Sequence, residues 1–222
     1  MPLDPVRVRR VIDDIAAHGR VTARADGSVH HVAPVAPSPA VCDAMAGWVE
    51  RVGARRTIEV GLGYGVSALF ICRALADMGV ERPLHVVIDP HQATRFADIG
   101  RQVPEDAGAS DCVEHLAEES QLALPRLLGE GRVFDFAFVD GNHRFEAVFV
   151  DLYFLGRLLR RGAVICLDDC QLPGVARAVN FFVQNLGWTV EERSATDPLH
   201  QWAAVRTAAG DDHRSFSDFA DF

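Results

Sequence analysis

Short apolar segments alternate with amphipathic segments from Thr57 onward. The apolar segments are predicted strands: TIEV (57–60), LHVVID (84–89), CVEHLA (112–117), FDFAFVD (134–140), AVICLDD (163–169), WTVEE (188–192) and HQWAAVR (200–206). Between them, apolar residues at helical spacing predict helices over 67–78, 93–102, 120–128, 145–159 and 175–186. This alternation predicts an α/β, doubly wound, mostly parallel sheet of seven strands. The last two strands, joined by SATDPL, are expected to form an antiparallel hairpin at its edge.

The first forty residues follow a different pattern. Apolar positions at helical spacing, with Asp4 as a start signal and Gly19 as a stop signal, predict a helix over 4–18. Residues 21–32 alternate around Asp26 and Gly27, a dipeptide typical of a tight β-hairpin. The proline-rich residues 33–40 form a linker or rim loop before a helix over 41–52. We therefore expect an appendage over 1–40 (a lid or dimer contact), a main domain over 41–206 and an acidic, phenylalanine-bearing tail over 207–222.

The composition is that of a globular protein. A chain of 222 residues with 49% hydrophobic residues is long enough for one well-cored domain. Apolar runs are too short for a membrane span and no signal-peptide pattern is present, so we expect a cytoplasmic protein with no membrane partner. The five cysteines include no CxxC pair, and buried thiols are favoured over a zinc site at Cys166 and Cys170. The tail and appendage make a homodimer plausible.

The charge excludes several kinds of chemistry. The formal net charge is −9, and all 22 basic residues are arginine. The absence of lysine excludes a Schiff-base lysine and a Walker A lysine. Nucleic-acid binding needs a clustered positive surface, whereas these arginines are scattered, so no nucleic-acid partner is expected.

A glycine segment follows the first strand of the main domain. It reads EVGLGYG and places Gly61, Gly63 and Gly65 between a predicted strand and a predicted helix, two residues after Glu59. In an open parallel sheet such a turn binds a ligand at the carboxyl end of the strand. A dinucleotide site has a further glycine three residues after the second one, where this chain has Val66. A purely structural turn is the alternative.

Carboxylates end the neighbouring strands. Asp89 ends the second strand and is suited to accept hydrogen bonds from a ribose diol, in S-adenosylmethionine and NAD alike. Asp140 ends the fourth strand, and Asp168 and Asp169 end the fifth. Because adjacent strands lie about 4.8 Å apart, these three acids are expected to converge on one cation. An oxygen-only ligand set favours Mg²⁺, with solvated loop carboxylates as the alternative.

Two motifs carry a resemblance to a known family. The EVGLGYG segment resembles motif I of the class I S-adenosylmethionine-dependent methyltransferases, which have a Rossmann-like fold. The stretch from FDFAFVDGNHRF (134–145) through LLRRGAVICLDDC (158–170) resembles the metal-dependent small-molecule O-methyltransferases, a group that includes catechol O-methyltransferase-like enzymes, macrolide-sugar methyltransferases and cephalosporin-hydroxylase relatives. The resemblance covers roughly residues 41–206.

The resemblance implies roles for individual residues. In the sugar-modifying branch, Asp140, His143, Asp168 and Asp169 match the family pattern, which implies metal binding by the acids and general-base catalysis by His143. Glu59 would anchor the charged end of the cofactor. The remaining implied cofactor contacts are Gly61, Gly63, Tyr64, Gly65, Ser67, Asp89, Glu119, Ser120 and Asp140. Ser67 has a second interpretation as a helix cap. Catechol-type enzymes carry a lysine near position 143 and an Asp-Asn pair, and this chain has neither.

The predicted function is therefore S-adenosylmethionine-dependent O-methylation of a small hydroxylated molecule, with a divalent metal, Mg²⁺, in the site. An imidazole with a pKa of about 6.5 is able to take the proton of an acceptor hydroxyl at neutral pH. Two alternatives remain open at this stage. One is an NAD-type oxidoreductase on the same fold, and the other is a non-catalytic S-adenosylmethionine-binding scaffold.

Overall fold

The computed structural model describes residues 3–194, 201–210 and 212–222. Its helices are α1 (Pro5–His18), α2 (Pro39–Arg51), α3 (Val66–Asp77), α4 (Gln92–Arg95), α5 (Ile99–Asp106), α6 (Ser120–Gly129), α7 (Phe145–Leu158) and α8 (Pro173–Leu186). Its strands are β1 (Arg20–Thr22), β2 (Val29–His31), β3 (Arg56–Val60), β4 (Leu84–Ile88), β5 (Val113–Leu116), β6 (Phe134–Val139), β7 (Leu159–Leu167), β8 (Thr189–Arg193) and β9 (Ala203–Arg206).

Seven strands form the central sheet in the order β5-β4-β3-β6-β7-β9-β8. Strands β3 to β7 are parallel, whereas β9 runs antiparallel to both β7 and β8. The predicted mostly parallel, Rossmann-like sheet with an antiparallel pair at its edge is thus confirmed. The predicted turn at 194–199 lies, apart from Ser194, outside the described residues.

Two apolar layers cover the sheet. On one face, α1, α2, α3 and α5 pack against alternate strand positions such as Phe136 and Phe138. On the other face, α6, α7 and α8 pack against the intervening positions, including Ala137 and Val139. Because both faces are buried, apolar residues of the central strands face both layers. Among the described residues, no helix is long and apolar enough to cross a bilayer.

The strand order reverses between β3 and β6, which are neighbours at the centre of the sheet. Strand β4 lies beside β3, and β7 lies beside β6 on the other side of this pair. Open α/β sheets bind ligands in the crevice at such a point, at the carboxyl ends of the strands. Gly61, Asp89, Asp140 and Asp168 each directly follow one of these four strands. The fold therefore brings the glycine segment and the acids to one edge of the sheet.

Two local predictions were wrong. The helix expected over 93–102 is interrupted: α4 ends at Arg95, and α5 starts at Ile99. Ala97 and Asp98, which lie between the two helices, have φ values of 48° and 58°. This left-handed conformation could not be predicted from the sequence, because neither position is a glycine. The predicted β-hairpin does form, since β1 pairs antiparallel with β2, but its turn is not the tight one expected: residues 23–28 connect the strands, with Asp26 Oδ1 accepting from the Ser28 amide.

The C-terminal tail docks in part on the body. The Phe222 ring lies 6.2 Å from Phe145 and 5.1 Å from Phe181, centroid to centroid. Asn185 anchors the tail backbone, since its side chain donates to the carbonyl of Ala220 and accepts from the amide of the same residue. Phe216, in contrast, is fully exposed.

Candidate active site

A cavity of about 510 Å³ opens at the carboxyl edge of the sheet. Ten of the residues singled out by the sequence lie in its wall: Gly61, Gly63, Tyr64, Ser67, Asp89, Glu119, Ser120, Asp140, His143 and Asp169. Glu59, Gly65 and Asp168 do not. The glycine loop and Asp89 form one end of the cavity, which we call the loop end. Asp140, His143 and Asp169 form the other, which we call the acid end.

The glycines of the loop are required by the packing of the protein itself. Gly61 has a φ of 93°, and a Cβ atom there would collide with the carbonyl oxygen of Asp140. At Gly65, with a φ of 77°, a Cβ would lie 2.7 Å from the carbonyl oxygen of Gly100. Gly63 is different, because its nearest neighbour would be a side-chain methyl of Val35 at 3.3 Å, and it lies in the cavity wall. The bare backbone at Gly63 thus leaves room for a ligand.

Asp89 braces the glycine loop. Its Oδ2 accepts hydrogen bonds from the amides of Leu62 and Gly63 at 3.1 and 3.0 Å and from the side chain of Gln92 at 3.1 Å. Within the part of the chain that the structure describes, Oδ1 accepts the amide of His91 alone, at 2.7 Å. A carboxylate has about four acceptor sites. Oδ1 therefore retains capacity for a ligand hydroxyl in the cavity.

Glu59 lies beneath the loop rather than in the cavity. Its side chain is fully buried, and it accepts a hydrogen bond from the Ser67 hydroxyl through Oε1. Its Oε2 lies 2.8 Å from His85 Nε2. Contact between Glu59 and a ligand in the cavity therefore passes through Ser67. Ser67 does not cap α3, since the N-cap is Gly65 and makes no side-chain capping bond.

Tyr64 is held by ring contacts at the loop end. Its ring packs edge-on against Phe96, with centroids 5.3 Å apart, and lies 5.7 Å from the His30 ring on β2. Tyr64 thereby connects the glycine loop to the N-terminal hairpin. Glu119 and Ser120 enter the cavity wall at the start of α6, directly after the turn that follows β5.

Three side chains converge at the acid end. Asp140 Oδ1 and Asp169 Oδ2 each lie 3.3 Å from His143 Nε2, and one ligand atom from each residue lies within 4.8 Å of the others. Two carboxylates and an imidazole are donors that divalent cations accept. The donor set thus fits a divalent cation. It differs from the predicted set, in which Asp168 was the third ligand and His143 was not one.

Burial and charge shift the ionisation of this group. Burial raises the pKa of Asp140 to about 7, although the hydrogen bond with His143 acts in the opposite direction. The negative charges of Asp168 and Asp169 add to the rise. The hydrogen bond to Asp140 raises the pKa of His143, and the nearby carboxylates reinforce it against burial. Burial and the neighbouring carboxylates therefore disfavour the charged form of Asp140, whereas the same carboxylates favour the protonated form of His143.

Asp168 supports the turn that presents Asp169. Asp168 is buried, and its Oδ1 accepts the amide of Asp169 at 2.9 Å. Asp169 has a φ of 56°, a left-handed conformation that aspartate tolerates better than most residues. Gln171 donates from Nε2 to Asp169 Oδ1 at 2.7 Å, and Gln171 Oε1 accepts the amide of Gln201. Oδ2 of Asp169 is left to face His143.

Part of the cavity wall had no signal in the sequence. Residues 34–37, the proline-rich segment before α2, line the cavity, as do Arg95, Phe96 and Asn142. The proline run indicated a rim loop but not what the rim would face. Gln92, adjacent to His91 of the cavity wall, is itself buried behind that wall and donates to the carbonyl of Gly63 at 2.9 Å and to Asp89.

Comparison with known proteins places the chain in a family. Residues 58–170 match the family model described as "Methyltransferase domain". Tricin synthase 1 of Oryza sativa subsp. japonica is 38% identical over 166 residues, which cover 68% of this chain and 62% of the relative. The chain therefore belongs to the methyltransferase domain family. It matches less than two thirds of the length of that curated relative.

Solved structures share the fold. The O-methyltransferase from Bacillus cereus in complex with SAH superimposes with a TM-score of 0.68 at 19% identity, over 93% of this chain and 92% of that one. The O-methyltransferase TomG from Streptomyces achromogenes, involved in tomaymycin synthesis and solved with SAM, gives 0.65 at 19% identity over 91% and 89%. At such identities the likeness establishes the class I methyltransferase fold.

Proposed function

We propose that this protein is an S-adenosylmethionine-dependent O-methyltransferase that uses a divalent cation to methylate a small hydroxylated molecule. The observation that carries the proposal is the shared cavity. One wall is the glycine loop with Asp89, and the opposite wall is the cluster of Asp140, His143 and Asp169. A methyltransferase must hold the methyl donor and the methyl acceptor side by side, because most of its rate enhancement comes from aligning these two bound reactants.

The loop end holds the cofactor. Asp89 Oδ1 accepts a ribose hydroxyl, and Gly63 allows the ligand to approach the backbone closely. Ser67, Glu119, Ser120 and Tyr64 complete the wall on this side. S-adenosylmethionine supplies the methyl group as an electrophile at its sulfonium. The missing third dinucleotide glycine, replaced by Val66, argues against NAD at the same place.

The acid end prepares the acceptor. Asp140 and Asp169 hold a divalent cation, Mg²⁺ in our proposal, and Asp168 shapes the turn that presents Asp169. A bound cation of this kind lowers the pKa of an acceptor hydroxyl. His143 takes the proton of that hydroxyl through Nε2. The close approach of the two carboxylates supports this assignment, because a cation relieves their repulsion.

The N-terminal segment closes the cavity over a small acceptor. Residues 34–37 line the cavity, and His30 of the hairpin contacts Tyr64 of the glycine loop. We therefore assign residues 1–40 as a lid, residues 41–206 as the methyltransferase domain and residues 207–222 as a docked tail. The net charge of −9 also favours a small acceptor over a nucleic acid.

Two measurements test this function. Titration calorimetry should detect binding of S-adenosylmethionine and of S-adenosylhomocysteine, and Asp89→Ala should weaken both, whereas NAD should not bind. A screen of hydroxylated small molecules with Mg²⁺ should then yield a product heavier by one methyl group. Binding of NAD in place of S-adenosylmethionine would support an oxidoreductase instead. Cofactor binding without methyl transfer to any acceptor would leave a scaffold as the better description.

A further inference from the structure

Four polar side chains form a linear chain of hydrogen bonds beneath the loop end. Thr57 and Glu59 on β3, His85 on β4 and Ser67 on α3 are each at most 3% exposed. Thr57 Oγ1 lies 2.9 Å from His85 Nδ1, and His85 Nε2 lies 2.8 Å from Glu59 Oε2. The Ser67 hydroxyl binds Glu59 Oε1. This chain is embedded in the otherwise apolar layer between the sheet and α3.

The chemistry of the groups fixes the two donors to Glu59. A carboxylate only accepts, so Ser67 donates to Glu59 and His85 donates from Nε2. Glu59 therefore has a donor on each carboxylate oxygen. Thr57 Oγ1 contacts both His85 Nδ1 and the carbonyl oxygen of Leu84, which lies 3.4 Å away. A buried carboxylate needs such partners because its desolvation is costly.

The chain ends at the cavity. Ser67 is the only one of the four residues in the cavity wall. Because its single proton is committed to Glu59, its oxygen offers lone pairs to the cavity. An acceptor backed by a buried negative charge suits a cationic group, such as the ammonium of the methionine part of S-adenosylmethionine.

We propose that His85 and Glu59 are positioning residues of the cofactor site, which fix the Ser67 hydroxyl as an acceptor for the cationic end of the cofactor. This inference rests on the proposed function. It assigns to Glu59 an indirect role, and it gives His85, a histidine on a buried strand, a task in cofactor affinity rather than in catalysis. Thr57 sets the orientation of the imidazole.

The test is a set of substitutions at His85, read by calorimetry with S-adenosylmethionine. His85→Leu removes the donor to Glu59 and should weaken binding about tenfold, since a buried acceptor is left unpaired. His85→Gln keeps an N–H donor and should restore affinity to within about threefold of the wild type. The KM for the cofactor should rise in His85→Leu, while kcat at saturating cofactor stays within about threefold because the acid end is unchanged.

Two comparisons separate positioning from general damage. Val164→Ala, a buried truncation on β7 outside the chain of four residues, should lower the melting temperature without changing cofactor affinity. In a Ser67→Ala background, adding His85→Leu should cause no further loss of affinity, because His85 acts through Ser67. If His85→Leu does not fold, Thr57→Val replaces it, with an expected loss of about threefold.

The outcomes distinguish this inference from the proposed function. The positioning role would be overturned if folded His85→Leu bound S-adenosylmethionine with wild-type affinity. It would also be overturned if His85→Leu lowered affinity as much in the Ser67→Ala background as in the wild type. Either outcome would leave the methyltransferase proposal intact. Failure of the wild-type protein to bind S-adenosylmethionine at all would overturn both.

Discussion

The two ends of the cavity differ in how their charges are balanced. At the loop end, Glu59 and Asp89 are buried, and each carboxylate oxygen has at least one partner within the protein. At the acid end, Asp140 and Asp169 share a single imidazole, and burial raises the pKa of Asp140 to about 7. The loop end is therefore pre-organised by its own hydrogen bonds, whereas the acid end brings together carboxylates that a cation would stabilise.

The two ends should therefore differ in rigidity before a ligand binds. Residues with completed hydrogen bonds resist movement, so the loop end presents a fixed surface before any ligand arrives. Carboxylates in excess repel each other and are stabilised by a cation or a proton. Substitutions at the two ends should consequently separate into effects on cofactor affinity and effects on turnover.

The largest expected effect comes from emptying the acid end. Chelation, or Asp169→Ala, should lower turnover on the order of 10³-fold or more, because a bound cation contributes several kcal/mol to the reaction. Calorimetry should show nearly unchanged affinity for S-adenosylmethionine. Asp43→Ala, which removes an exposed carboxylate on α2 paired with Arg73, is the matched control and should retain activity. Full turnover in chelator would make the acids structural.

Loss of His143 should have the next largest effect. His143→Ala should lower kcat by about 10²- to 10⁴-fold, the usual range for a positioned general base. Binding of Mn²⁺, followed by electron paramagnetic resonance, should persist if His143 is the base. Loss of Mn²⁺ binding together with activity would instead make His143 a ligand, as its 3.3 Å distances to both carboxylates allow. An unchanged rate would remove both roles.

Gly61 joins the two ends, so its substitution should affect both. Gly61→Ala forces a Cβ against the carbonyl of Asp140 at a φ of 93°, and should destabilise the protein by about 3 kcal/mol. Chemical denaturation measures this loss, and calorimetry should show weaker cofactor binding. Gly47→Ala in α2 is the matched control, because its Cβ meets open space and a helix favours alanine by up to about 1 kcal/mol. Equal stability of both variants would contradict the observed close approach.

The smallest expected effect is that of replacing Asp151 on α7. Burial raises its pKa from 3.8 to about 7, and Ser120 offsets part of the rise. The folded state therefore holds a proton that the unfolded state releases, and stability falls as pH rises from about 4 to 7. Asp151→Asn removes this loss and should raise stability by about 1 to 2 kcal/mol at pH 8 relative to the wild type. Melting curves of the wild type and of Asp151→Asn at pH 5 and pH 8 measure this difference in stability. The same difference at both pH values would refute the prediction.

The amino-acid pattern alone was sufficient for the architecture. Continuous apolar runs such as AVICL (163–167) and the helices between the strands predict a parallel sheet buried on both faces, because each face must be covered. The same pattern placed Asp89, Asp140 and Asp168 at strand ends, because each follows the last apolar residue of its strand. The glycine spacing predicted the tight turn before α3.

Only the tertiary structure decided which of these side chains meet a ligand. Glu59 and Ser67 lie eight residues apart, and their hydrogen bond depends on how α3 packs over β3. The partnership of Glu59 with His85 depends on the pairing of β3 with β4, which no local pattern reports. Asp168 and Asp169 are adjacent in sequence, yet a left-handed turn at Asp169 directs one to its own backbone and the other to His143. Periodicity follows from local sterics and burial, whereas these contacts arise from long-range packing.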